Sequence, residues 1–165
     1  MMNAICKNMF PQVRGRDLVD NDVVLPSDAN SECTLLVITY KRWHQDLIDT
    51  WTPYLGHLTN RFSELRLYYV SMFKSTNQFM RVIINGYMKR RYASKADRVS
   101  TIIVYTDIDA FNLCLNLPST TTMYLLLIDR EGHVLWRGQD AFDQQQFDTL
   151  CTTINDLLNG SERGA

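Results

Sequence analysis

The sequence has no Cys-x-x-Cys pair: its four cysteines, Cys6, Cys33, Cys114 and Cys151, lie far apart. Dithiol chemistry on an adjacent pair and paired-cysteine zinc sites therefore have no motif to rest on. A glycine-rich phosphate loop is also missing, since most of the seven glycines are isolated. No Gly-x-Ser-x-Gly elbow is present to carry a hydrolase serine. His44, His57 and His133 are scattered, without the spacing of a zinc or di-iron site. No catalytic residue, no cofactor and no metal site is expected.

Charge of one sign is lacking too. Seventeen basic residues meet eighteen acidic ones, for a net charge of −1, so the whole chain offers no electrostatic footprint for nucleic acid or an anionic membrane. Long apolar runs are absent. The longest, Leu35 to Ile38 and Tyr124 to Ile128, have the length of strands, well short of the roughly 20 residues of a membrane-spanning helix. No transmembrane segment is expected.

What is present suits one domain, since 165 residues are enough to bury a sizeable core without staples. Residues 1–33 read as an amino-terminal arm punctuated by Pro11, Gly15 and Pro26. Its first part carries Lys7, Arg14 and Arg16 with no acid before Asp17. Transit peptides and flexible basic tails share that composition, and both readings stay open. The folded domain is expected over 34–160, and 161–165 form a polar tail.

Within the domain, apolar periodicity alternates between strand and helix. The run 34–40 reads as a strand buried on both faces. From 43 to 58 the spacing is helical, with Trp43, Leu47, Ile48, Trp51 and Leu55 on one face and a kink or restart expected at Pro53. A strand over 65–72 precedes a helix over 76–92 that places Phe79, Val82, Ile83 and Tyr87 on its apolar side. A third strand covers 100–106, and Asp107 or Asp109 is suited to cap the short helix after it, which ends near Pro118. A hairpin follows over 123–140, turning at Arg130, Glu131 and Gly132. The last helix, 143–158, carries Phe147, Leu150, Cys151, Ile154 and Leu158, with Gly160 as its stop.

This order predicts an α/β fold with a mostly parallel central sheet, a carboxy-terminal antiparallel hairpin and helices on both faces. It resembles the thioredoxin-like order, in its peroxiredoxin-like branch, with one helix–strand unit inserted after the second strand. In thioredoxin-like enzymes the nucleophilic cysteine opens the first core helix, where the helix dipole favours a thiolate. That place reads Lys41, Arg42, Trp43, His44, Gln45, Asp46 here. The cis-proline that such enzymes place directly before the hairpin is also displaced, since Pro118 comes several residues early.

Cys114 and Cys151 read as small buried hydrophobes, and a Cys6–Cys33 disulfide is left open. The densest basic run is Lys89, Arg90, Arg91 beside Tyr87 and Tyr92. It reads either as a solvated helix end, where the dipole favours cations, or as a docking patch for an acidic partner, lipid headgroups or RNA.

Three segments resemble the mitochondrial ATP synthase assembly factor ten family. They are the first strand leading to Thr50, Trp51, Thr52, Pro53 and Tyr54; Leu67 to Val70 with the helix ending at Arg91; and Tyr124 to Gly138. The last is similar to the family's Tyr-x-x-Leu-x-Asp-Arg-x-Gly-x-Ile-Arg-Trp-x-Gly signature, but Leu135 stands before the tryptophan and Arg137 after it. The likeness spans about residues 34–158. It implies a thioredoxin-like, non-catalytic protein at the matrix face of the mitochondrial inner membrane. The implied partners are subunits of a multiprotein complex, ATP synthase or a respiratory-chain complex, with peripheral membrane association and a role as assembly factor or accessory subunit.

Candidate contact residues are Lys41, Arg42, Trp43 and His44 from the loop, Arg90, Arg91 and Tyr92 from the basic run, and Trp136 and Arg137 from the hairpin. Nucleic acid is not the expected partner. Two alternatives remain: a thiol-dependent oxidoreductase or peroxidase with displaced cysteines, Cys33 or Cys114, and a mitochondrial ribosome-associated protein.

Overall fold

The computed structural model describes residue 6 and residues 8–92 and 94–163. The transit-peptide reading of the extreme amino terminus falls mostly outside these residues. Seven strands form one mixed sheet in the order β2-β1-β5-β4-β3-β6-β7. They are β1 (Val13–Asp17), β2 (Asp22–Leu25), β3 (Cys33–Thr39), β4 (Leu65–Lys74), β5 (Thr101–Thr106), β6 (Tyr124–Asp129) and β7 (Val134–Gln139). Strands β3, β4 and β5 run parallel, and β6 and β7 add the expected antiparallel hairpin.

The helices are α1 (His44–Arg61), α2 (Gln78–Arg91), α3 (Lys95–Ser100), α4 (Ile108–Leu115) and α5 (Gln144–Arg163). One face of the sheet packs Leu35, Val37, Leu125 and Leu127 against Trp51 and Leu55 of α1 and Leu150 and Ile154 of α5. The other face packs Leu36, Ile38, Val70 and Ile102 against Phe111 and Leu115 of α4. Alternate residues of β3 thus feed opposite cores, which is why its run is apolar throughout.

The arm is the main departure from the sequence reading. Residues 13–25 are a hairpin that extends the sheet, with β1 antiparallel to β5. Its turn is organised by buried Asp17, whose carboxylate accepts from the Val19 and Asn21 amides, each at 2.9 Å, and from the Asn21 side chain at 3.0 Å. Polar residues and Gly15 hid the alternation: Gly15 carries no side chain because Ile103 O lies 2.6 Å from where a Cβ would stand.

Pro53 does not break α1, which runs unbroken for 18 residues. Pro53 and Asp49, the residue four back whose carbonyl loses a donor, both lie on the solvent side, so water can take the amide's place. The Gly160 stop is passed as well, since α5 runs on to Arg163 into the expected polar tail. Asp107 caps α4 as anticipated, accepting from the Ala110 amide at 3.1 Å.

Of the residues expected on the inner side of α2, Tyr87 does face inward, but with Ile84 and Met88, onto a small cluster with Leu18 and Ile103. Phe79, Val82 and Ile83 point out, at 73 %, 61 % and 48 % exposure. The helix is apolar on two faces, so a 3.6-residue period cannot tell which of them is inward.

Candidate functional site

The site begins where β3 ends. Thr39 leaves the sheet and residues 40–43 turn into α1, so the loop sits at the carboxyl end of a central parallel strand, a usual place for function in α/β sheets. His44, fully buried, holds this loop. Its Nδ1 accepts from the Tyr40 amide at 3.1 Å and the Lys41 amide at 3.2 Å. Two amide donors at Nδ1 fix the neutral ring with its proton on Nε2. Burial drives the imidazole below its ordinary pKa; the Thr121 backbone opposes this and the Lys41 charge adds to it. Nε2 itself has no hydrogen-bond partner among the described residues.

His44 is therefore a structural post and not a surface contact residue. Trp43 beside it is 52 % exposed and meets the imidazole edge to face at 4.5 Å. Lys41 and Arg42 are exposed. The strand entry opposite the loop carries no cis bond at Pro118, and the cis peptide among the described residues is Leu25–Pro26.

None of the four cysteines lines the cleft beside this loop. Cys33 begins β3, fully buried, and its pKa is pushed up to about 11, first by burial and then by the charges of Glu64 and Glu32. Cys151 is half-buried on α5, and burial raises it as well. Cys114 is buried but is not a free hydrophobe: it forms a disulfide with Cys6, with Cα atoms 5.2 Å apart. The bond ties the amino-terminal arm to α4, and the pairing with Cys33 left open by the sequence does not occur.

The basic run does come to the loop. A cleft of about 400 Å³ opens between residues 39–45 and α2, floored by β4. Lys41 and Arg42 line it from one side and Arg90, Arg91 and Tyr92 from the other, so five of the nine candidate contact residues share one site. Its walls include Tyr69, Tyr87 and Ile83. The Arg42 guanidinium lies over the Tyr87 ring at 5.0 Å. Tyr69 is the residue sequence reasoning missed. The Tyr68-Tyr69 doublet in a strand was its signal, since neighbours on a strand face opposite sides.

Trp136 and Arg137 are elsewhere. Trp136 is 9 % exposed, packed under α5, and its Nε1 donates to Thr149 Oγ1 at 2.9 Å. It is a core residue, so the expectation that it contacts a partner is withdrawn. Arg137, on the opposite face of β7, donates through Nη1 to the Leu115 carbonyl at the end of α4. A guanidinium there meets both an unpaired carbonyl and the negative end of the helix dipole.

The hairpin turn gathers Asp129, Glu131 and His133, with ligand atoms within 4.8 Å of one another. Asp129 accounts for the grouping: it accepts from the Glu131 and His133 amides at 3.0 and 2.8 Å and pairs with His133 Nδ1 at 2.9 Å.

No protein-family model and no curated protein matches the sequence. Solved structures do match over nearly the whole chain. BsSco, a member of the Sco family of cytochrome c oxidase assembly proteins, aligns with a TM-score of 0.58 at 9 % identity, covering 92 % of this chain and 94 % of that one. The fold is thioredoxin-like. The exposed lipoprotein thioredoxin Etrx1 of Streptococcus pneumoniae aligns at 0.56 and 11 % identity, covering 88 % and 99 %. The thioredoxin domain of a thiol-disulfide oxidoreductase from Bacteroides vulgatus gives 0.51 and 18 %, covering 87 % and 94 %. The architecture is thus that of thiol-disulfide oxidoreductases and Sco proteins, with a lysine-to-histidine segment where the thioredoxin-like order places the nucleophile.

Proposed function

We propose that this chain is a non-catalytic thioredoxin-like protein of the mitochondrial oxidative-phosphorylation machinery. It acts through protein–protein contacts, as accessory subunit or assembly factor of ATP synthase or a respiratory-chain complex. The observation that carries this reading is the loop after β3. A buried neutral histidine holds it, no cysteine lies in it, and the free thiols, Cys33 buried in β3 and Cys151 half-buried on α5, have raised pKa values.

The outward face of α2 supplies a contact surface. Phe79, Val82 and Ile83 are exposed together on a helix without a single acid, and clustered exposed apolar residues mark interaction sites. The mitochondrial setting rests on the resemblance of Tyr124 to Gly138 to the assembly factor signature. BsSco, a neighbour in fold, belongs to a family of oxidase assembly proteins, which is in keeping with such a role.

The proposed location is the matrix face of the inner membrane, in peripheral association. One observation favours the opposite face: disulfides persist in oxidising compartments, and Cys6 and Cys114 are joined.

Native purification of the tagged protein from mitochondria, with stoichiometry measured, tests the proposal. Equimolar recovery in a finished complex makes it an accessory subunit, and substoichiometric recovery with immature intermediates makes it an assembly factor. Recovery only as a free protein overturns both. Replacing Phe79 and Val82 together by serine, neither of which lines the cleft beside the loop, is expected to abolish co-recovery.

A further inference from the structure

We propose that the cleft between the post-β3 loop and α2 binds a small phosphorylated molecule with a planar aromatic ring, of the nucleoside diphosphate class. This goes beyond the partner-binding role and does not depend on it. The cleft's volume, about 400 Å³, lies within the range of roughly 300–1,000 Å³ typical of small-molecule sites. It opens over the carboxyl ends of β3 and β4, at Thr39 and at Ser71 to Phe73, where α/β sheets hold their ligands.

Charge selects an anion. Lys41 and Arg42 reach the cleft from the loop, Arg90 and Arg91 from the end of α2, and no carboxylate lines it. None of the four is ion-paired among the described residues, whereas Arg16, Lys89 and Arg130 each pair with an acid. The carboxyl end of α2 accounts for Arg90 and Arg91 as dipole partners. It does not account for Lys41 and Arg42, which sit at the amino end of α1, where the dipole is already positive. Three positive sources meet at one mouth. That arrangement is unfavourable until a multiply charged anion enters, and arginine forks suit phosphate oxygens.

The walls select the rest of the ligand. Tyr69, Tyr87 and Tyr92 present rings, and the Arg42–Tyr87 pair at 5.0 Å already forms a flat cationic–aromatic ledge. Burial raises Tyr69 to about 12 and raises Tyr92 as well, so their hydroxyls stay neutral beside a phosphate. Ile48, Ile84 and Met88 add apolar lining. A bare phosphate leaves these walls unused. A peptide partner has exposed Phe79 and Val82 of α2 available outside the cleft.

Calorimetric titration of the full chain at physiological salt with ADP, pyrophosphate and vesicles of phosphatidylcholine containing cardiolipin tests the assignment. The expected result is saturable 1:1 binding of ADP, at least tenfold tighter than pyrophosphate. R90Q/R91Q is expected to weaken ADP at least tenfold while the chain stays folded with a slightly lowered melting temperature, because both side chains are exposed and only their dipole contribution is lost. R42Q, which removes the ledge, should weaken ADP more than it weakens pyrophosphate. Equal affinity for pyrophosphate and ADP overturns the ring assignment. No saturable ADP binding, or binding to vesicles alone, overturns the site. The co-recovery result above is independent, so either proposal can fail without the other.

Discussion

The indole of Trp136 lies against Gly138, where a Cβ would meet its Cη2 and, at 2.9 Å, Gln146 Oε1. This pairing gives the Trp-x-Gly end of the hairpin signature a physical reason. The tryptophan needs its neighbour two residues on to have no side chain, because both point to the α5 face of the sheet. Gly138→Ala is therefore expected to destabilise the fold by about 1–3 kcal/mol, the range for overpacking a filled core. Trp136→Ala should cost about 3–5 kcal/mol. In the double variant the two losses should not add, since the alanine methyl then meets no ring. Chemical denaturation of the three variants checks this; full additivity would show that the two residues act separately.

The histidine post predicts a pH dependence. His44 has a folded-state pKa below the unfolded value of about 6.5, so the unfolded chain binds more protons in that window. Stability then rises with pH across it. The contribution is whole above about pH 6.5 and is lost as pH falls toward the lowered folded-state value. Melting temperatures between pH 7.5 and pH 5 should fall on the acid side of 6.5. His44→Asn keeps an acceptor near the Tyr40 and Lys41 amides and should flatten that slope, at some cost in stability. An unchanged slope in the variant would assign the pH dependence to other groups.

The Cys6–Cys114 bond closes a loop spanning 108 residues. Loops of that length restrict the unfolded chain strongly, and native disulfides commonly contribute about 2–4 kcal/mol. Reduction should lower the unfolding free energy by about that much. Cys114→Ser should match the reduced protein and respond no further to reductant. If reductant leaves the wild-type transition unmoved, the arm is held by packing alone, notably by buried Phe10, whose amide donates to Gly132 O at 2.8 Å.

The parts of the fold that were legible in the sequence are those with one dominant period. The runs around Leu35, Val70, Ile103 and Leu126 each fed a buried strand, and α5 showed a single apolar stripe. The amino-terminal hairpin was illegible because its order comes from tertiary pairing with β5 and from the Asp17 turn, not from alternation. Helix α2 was misoriented because both of its faces are apolar. In the site, the basic residues were visible as a run, and their meeting with Lys41 and Arg42 follows only from how α2 crosses β4. The burial of Trp136 is not legible in the sequence, because an indole alone says nothing about which face of β7 it occupies.

Thiol reactivity bears most directly on what the molecule does. With its pKa pushed up to about 11, Cys33 is a thiolate in fewer than about one molecule in a thousand near neutral pH, and it is fully buried besides. Cys151 is also raised by burial. Iodoacetamide at pH 7.5 should therefore modify Cys33 in the native protein only as fast as the chain opens, and Cys151 slowly. Denaturant should accelerate both. The oxidoreductase alternative requires the opposite: one native thiol that labels within seconds and loses that reactivity on unfolding. Mass spectrometry of timed reactions distinguishes the two. A rapidly labelled cysteine would return thiol chemistry to this fold despite the histidine in its loop.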